Sequence, residues 1–355
     1  MKWKGKLISF IIEQLKEDAQ WESILGQVLL DNSIGIHLAV FNEPFLSLIY
    51  KGIKTIESRF SINNISPYAR VKKGDIILLK ESGGFINGFF IAGDIKYYRN
   101  LNDLLKEEIE TQYGEKICTS FDKNFWNKQE EAKYATLIEI EKFKITNSFK
   151  CDKNDRSGWS IIREGIPDSL FSQKEVKIKT VVTLSGRICS GKSHIAQKIK
   201  VMNEIPIASF GHYLKECCEN NNLPTERKTL QEIGEILIRI NPRQFLLEVI
   251  SQYTTYRDVL VLDGVRHRTI FDQVKSIAEN HVSIFVDADI NTRYERYKNR
   301  GKESDNSITF DEFVLMDNHT VELEIMSLKP LCDIIVESSY ENLDEVLEKQ
   351  IKYIK

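Results

Sequence analysis

Apolar positions recur with two different rhythms along this chain. Ile8, Ile11, Ile12 and Leu15 return at three- and four-residue steps, which predicts an amphipathic helix within residues 1–33. From 34 to about 148 the rhythm shortens. The stretches "IGIHLAVF", "DIILLK", "GFFIAGDIKYY" and "KYATLIEIEKFK" read as strands, with a helical insert near 101–112 and Gly83 and Gly84 in a hairpin turn. Short strands at this spacing predict a small β-barrel. Residues 149–177 are polar and hold Gly158, Gly165 and Pro167, the composition of a linker, although Trp159 and the adjoining "IIR" can pack back on the barrel. Beyond 178 the strands "KTVVTLS", "IPIASF", "VLVLD", "HVSIFVDA" and "CDIIVE" alternate with segments long enough for helical crossovers. That alternation predicts a parallel five-stranded sheet covered by helices on both faces.

The expected division is an N-terminal helical extension (1–33), a barrel (34–163), a linker (164–177) and an α/β domain (178–355). The length of 355 residues supports more than one core. Net charge is −3, about +2 over the first 180 residues and about −5 over the rest, so neither half is a basic glove for nucleic acid. None of the six cysteines stands in a CxxC pair, which argues against a zinc ribbon or a thioredoxin-like site and fits a reducing cytoplasm. The opening "MKWKGKLISFIIEQLKED" has no small-residue cleavage site, and no apolar run is long enough to span a membrane.

One stretch narrows the chemistry. "GRICSGKS" fits G-x-x-x-x-G-K-[ST], with Gly186, Gly191, Lys192 and Ser193 at the fixed positions, a strand before it and a helix after it. In that context Gly186, Arg187, Ile188, Cys189, Ser190, Gly191, Lys192, Ser193 and His194 are the expected ATP site. Glycines let successive amides turn toward phosphate oxygens, and the helix N-terminus adds its dipole. Lys192 supplies charge to the outer phosphates, and Ser193 with Asp263, at the end of "VLVLD", supplies oxygen ligands for Mg2+. The fold class is therefore the P-loop NTPase type. Arg266, three residues after Asp263, is placed to grip an acceptor phosphate. In "DINTRYERYKNRG", Arg293, Arg296 and Arg300 share a helical face leading into the polar "KESDNS", the make-up of a closing lid, with Arg293 and Arg300 as the expected catalytic cations.

The half from 178 to 355 resembles the deoxynucleoside monophosphate kinases of phages and, more distantly, dephospho-coenzyme A kinase. The resemblance is carried by "GRICSGKS", "IASFGHYLKE", "ERKTLQEIG", "VLDGVR", "VDADINTRYERYKNR", "NHTVELEI" and the ending "CDIIVESSYENLDEVLEKQI". It implies that Phe210, Lys215, Arg227 and Gln231 line the acceptor pocket with Arg266, Arg227 on the phosphate and Gln231 on a base edge. Such kinases often carry an aspartate just after the phenylalanine, where this chain has Gly211 and His212.

In the front half, "YKGIKTIESRF" holds Gly52, Lys54, Glu57 and Arg59 as G-x-K-x-x-E-x-R. On an extended chain Glu57 and Arg59 share a face, and a turn at the start brings Lys54 over. With "VKKGDIILLK", "GGFINGFFIAGDI" and "DRSGWSIIR", this stretch is similar to the ASCH domain, a small barrel related to the RNA-binding PUA fold. The resemblance implies that Lys54, Glu57 and Arg59 bind a nucleotide, a modified base or RNA. The family's amidohydrolases place a threonine where Glu57 stands. Phe41, Phe45, Phe60, Phe85, Phe89 and Phe90 are the expected aromatic neighbours, most of them barrel core.

Three functions compete on this reading. The first is a nucleoside monophosphate kinase using ATP and Mg2+; the second is a kinase of RNA or DNA ends held by the front domain; the third is a nucleotide-dependent binding module without transfer. The expected partners are a small nucleotide substrate and an RNA or modified-nucleotide ligand, with no membrane; a homodimer is left open.

Overall fold

A computed structural model of the chain describes residues 2–16, 18–30, 33–153, 155–165, 177–251, 259–299, 308–318 and 320–338. They form two compact units, 1–169 and 170–355.

In the front unit, helices α1 (Lys2–Lys16) and α2 (Glu22–Leu30) bury the predicted stripe: Ile8, Ile11, Ile12 and Leu15 are all inside. The helices pack on a sheet, Phe10 stacking on Phe149 and Trp21 meeting Phe89 edge-on. The sheet comprises β1 (Ile36–Phe41), β2 (Ile56–Ser61), β3 (Ile76–Glu81), β4 (Ile86–Arg99), β5 (Tyr134–Phe149) and β6 (Trp159–Arg163). Their order is β2-β5-β4-β3-β1-β6, antiparallel except for the β1–β3 pair. The helix α3 (Phe45–Tyr50), which the alternation did not signal, starts after Pro44; α4 (Asp103–Ile117) is the expected insert.

Register shifts at Ile91, Ala92 and Ile95 bend the long β4–β5 ribbon, as bulges do. A side chain ties edge strand β2 to the other end of this order. Arg59 on β2 donates to the carbonyls of Val40 in β1 (2.9 Å) and Gly158 (3.3 Å), just before β6. One guanidinium thus spans the seam of a barrel-like sheet whose hydrogen-bond ladder, among the described residues, does not close. Trp159 is a buried member of β6, so the aromatic end of the expected linker region belongs to the barrel.

The rear unit contains β7 (Ile178–Ser185), α5 (Lys192–Asn203), β8 (Ile207–Ser209), α6 (Phe210–Asn220), α7 (Arg227–Ile240), α8 (Pro242–Ser251) and β9 (Val259–Asp263). It continues with α9 (Arg268–Ile277), β10 (Ala278–Asp287), α10 (Ile290–Lys298), α11 (Phe310–Asp317), α12 (Thr320–Leu328) and β11 (Ile334–Glu337). The strand order is β11-β10-β7-β9-β8 and every pair is parallel. Val182, Leu184, Val261, Ile284 and Val286 fill the sheet, with Ile195 and Ile199 of α5 against it. Near-continuous burial along β7 is what a sheet covered on both faces requires. The chain passes from β7 to β8 on one side of β7 and from β9 to β10 on the other, so the strand order reverses at β7 and a crevice opens at its carboxyl end, where doubly wound sheets bind ligands. This is the P-loop NTPase architecture.

Several boundaries differ from expectation, two of them in strands of this sheet. Strand β8 stops at Ser209 because the Ser209 hydroxyl caps α6, which makes Phe210 helical. Strand β10 starts at Ala278, running directly out of α9. The expected C-terminal helix lies outside the described residues. No helix among the described residues is long and apolar enough to cross a membrane.

Candidate functional site

The loop between β7 and α5 has the backbone its glycines were expected to provide. Gly186 sits at φ +146°, and a Cβ there would lie 2.2 Å from the Val286 carbonyl of β10, so no side chain fits. Gly191, at φ +100°, precedes the first turn of α5. Lys192 folds back over the loop, its Nζ donating to the carbonyls of Gly186 (2.6 Å) and Arg187 (2.8 Å). Burial first and nearby Arg266 second, against the pull of Asp263 and Glu322, bring its pKa down to about 8. An anion entering the loop would supply the counter-charge this ammonium lacks.

On one side, Ser193 Oγ donates to Asp263 Oδ2 at 3.1 Å. Asp263 is buried at the end of β9, and its Oδ1 has no hydrogen-bond partner among the described residues. A buried carboxylate oxygen without a donor, beside a hydroxyl at the mouth of a phosphate loop, is a donor set that fits a hard divalent cation.

On the other side two arginines converge. Arg227, which opens α7, and Arg266, after β9, both donate to Glu322 Oε1, at 2.8 and 3.0 Å. Glu322 Oε2 accepts the Ile188 amide of the loop at 3.0 Å, and the residue is fully buried. Sequence reasoning missed Glu322. Its signal was helical phase: Glu322 falls three residues before the fully buried Ile325, so a carboxylate stands beside the apolar face of α12.

Loop, arginines and Asp263 line a cleft of about 790 Å³. Phe210, packed on Phe245 at 5.3 Å between ring centres, and Gln231 line it, and His194 stands at its loop end. Lys215 does not reach it: the residue points to solvent and pairs with Glu219 at 3.7 Å, because α6 buries Tyr213, Cys217 and Cys218 on its other face. His212 likewise faces outward against Glu216.

The lid arginines divide. Arg293 is buried away from the cleft, with Nε on the Ala288 carbonyl (3.1 Å) and a two-pronged bridge to Asp317 (2.8 Å for the outer prong). Arg187 shares that carboxylate at 2.9 Å. The expectation that Arg293 serves the transferring phosphoryl group is therefore corrected to a structural role. A three-residue helical step rotates by about 60° short of a full turn, enough to send Arg293 inward and Arg296 toward the loop. Arg296 donates to the Ser190 carbonyl (3.3 Å) and to Ser338 Oγ (2.8 Å), and it lines the cleft. Arg300 lies outside the described residues.

The front unit holds a second pocket of about 500 Å³. Lys54, Glu57 and Arg59 meet there: Arg59 Nε donates to Glu57 Oε1 at 2.6 Å, and Lys54 Nζ lies 3.5 Å from Glu57 Oε2. Lys54 also donates to the carbonyls of Ile56 (2.8 Å) and Ile117 (2.9 Å). Burial holds its pKa below the ordinary lysine value, with Glu57 offsetting part of the effect. Arg59 lies over the Phe41 and Trp159 rings, 4.9 and 5.4 Å from their centres. Phe41, Phe45 and Phe60 line the pocket, joined by Phe121 and Phe125, which the strand pattern could not bring near; Phe89 and Phe90 are core, and Phe85 is exposed at the hairpin.

Residues 182–324 match the family model described as AAA domain. No curated protein matches the chain in sequence. Among solved structures, the chain is similar to an ASCH protein from Zymomonas mobilis (14% identity, 38% of this chain and 90% of that one, TM-score 0.30). It is also similar to shikimate kinase from Aquifex aeolicus (17%, 49% and 95%, TM-score 0.34) and to a gluconokinase from Sinorhizobium meliloti (14%, 50% and 91%, TM-score 0.33).

Proposed function

We propose that the rear unit is an ATP-dependent phosphotransferase whose acceptor is a nucleoside or deoxynucleoside monophosphate, and that the front unit binds a nucleotide, a modified base or RNA. The observation that carries the kinase reading is the convergence of Arg227 and Arg266 across the loop from Ser193 and Asp263. A phosphate loop that only switches conformation has no need of a second pair of cations facing it.

The loop amides and the N-terminus of α5 hold the donor's phosphates, and Lys192 transfers its hydrogen bonds from the Gly186 and Arg187 carbonyls to the outer phosphate oxygens. Ser193 and Asp263 would hold Mg2+, which when bound offsets charge on the transferring group. Arg227 and Arg266 orient the acceptor phosphate for in-line attack, so positioning and charge compensation lower the barrier without a covalent enzyme intermediate. Gln231 offers one amide to the acceptor's base, while Phe210 supplies an apolar wall. Arg296, held on the Ser190 carbonyl, brings a further positive charge to the loop.

The test is incubation with ATP, Mg2+ and a panel of standard and modified monophosphates, with Lys192→Met as control. Diphosphate formed from at least one of them and lost in the control is the expected result. No product from any acceptor overturns the reading, and label appearing on oligonucleotide ends would assign the unit to polynucleotide ends instead.

A further inference from the structure

Behind the arginines that line the cleft lies a charged group that neither the loop motif nor the acceptor role explains: the Glu322 carboxylate. All three of its described partners are donors. Arg227 and Arg266 share Oε1, while the Ile188 amide takes Oε2. Each partner comes from a different part of the fold, namely the start of α7, the turn after β9 and the phosphate loop. The carboxylate itself is fully buried on α12. A group that gathers two guanidinium ions and a loop amide is making the contacts an incoming phosphate would make.

We propose that Glu322 is a resident anion of the acceptor site, a positioning residue that fixes Arg227 and Arg266 against the phosphate loop before substrate arrives and weakens their grip on the acceptor phosphate. Two opposed effects follow from the same contacts. Holding the arginines in place favours transfer, because the acceptor meets a pre-formed geometry. The negative charge beside them reduces the attraction felt by a bound phosphate in a poorly solvated site. The inference rests on the acceptor role proposed for the two arginines.

Glu322→Gln separates these effects. A carboxamide keeps the shape, yet its NH2 group faces a donor whichever way it is turned, so either the loop amide or the arginine pair loses its acceptor. Inorganic phosphate is titrated calorimetrically into protein saturated with a non-hydrolysable ATP analogue, and transfer is measured on the acceptor found above. Glu322→Gln is expected to bind phosphate about fivefold more tightly and to transfer about thirtyfold more slowly, with affinity for the analogue unchanged within about threefold. Glu322→Asp, which retains the charge, is expected to restore phosphate affinity to the wild-type value and to recover part of the rate. Arg227→Met, expected to abolish the phosphate titration, locates the binding.

Weaker phosphate binding in Glu322→Gln, or losses of analogue, phosphate and rate together, would reduce Glu322 to a structural residue and overturn the proposal. If Glu322→Gln does not fold, Glu322→Asp decides it: a rate at the wild-type level with the arginines' partner shortened overturns it as well. Wild-type protein that titrates phosphate but transfers to no acceptor would sink the kinase reading, while the affinity comparison still judges the role of Glu322.

Discussion

Each unit builds its polar centre from the same three ingredients, a buried lysine, a buried carboxylate and arginine, and uses them differently. In the front unit the lysine is tied to carbonyls of two separate segments, Ile56 and Ile117, and Arg59 is tied to two more. The cluster there holds the barrel together as well as facing a pocket. In the rear unit Lys192 is tied, among the described residues, to its own loop alone, by bonds that a phosphate can replace one for one. A buried charge anchored to distant backbone belongs to the scaffold, whereas one anchored locally can be released to a ligand. Lys54 should therefore matter for folding and Lys192 for turnover.

The largest effect should separate the two directly. Lys192→Met is expected to lower phosphotransfer by about 10³-fold while the thermal transition of the front unit stays in place; loss of both would erase the distinction. Next, Arg59→Lys should destabilise the front unit by about 2 kcal/mol, since an ammonium cannot reach Glu57, Val40 and Gly158 together. Calorimetric unfolding reads that loss, and unchanged kinase activity in the same variant would sharpen the contrast.

A third test uses the proton on Lys192. Its folded pKa of about 8 lies below the ordinary lysine value of 10.5. Between those values the unfolded chain binds a proton that the folded unit does not, so stability of the rear unit should rise with pH across that window. A bound ATP analogue raises the lysine's pKa again. Its binding near pH 9 should therefore take up as much as about one proton, measured as a dependence of binding heat on buffer ionisation enthalpy and absent in Lys192→Met. The smallest effect is expected of Lys215→Ala: its exposed pair with Glu219 is worth about 0.3 kcal/mol, and turnover should stay within about twofold of wild type.

What the sequence disclosed follows the reach of each interaction. The loop was legible because all its chemistry lies within eight residues, Gly186 to Ser193, between an apolar strand and a helix. Asp263 and Arg266 were legible because a buried strand aims whatever follows it at the same crevice. Lys54, Glu57 and Arg59 came together as a turn before β2 allowed, but the role of Arg59 across the seam depends on Gly158, which is 99 residues away. Helical arginines were the weak point, since residues three apart share a face only approximately. Arg293 went inward and Arg296 to the loop. Glu322 was hidden for a related reason: a lone glutamate in a helix is by default exposed, and only its phase with Ile325 marks it as buried.

The bond network around Ser338 bears on how this protein is made. Ser338 takes a bond from Arg296 and gives one to the Ser190 carbonyl, 148 residues earlier in the chain. A ribosome releases the loop long before it releases those two supports, so the nascent unit carries its phosphate-loop turn without the Arg296–Ser338 brace until the chain around β11 is free to fold. ATP should accordingly protect released chains truncated ahead of Ser338 less well than those that extend beyond it.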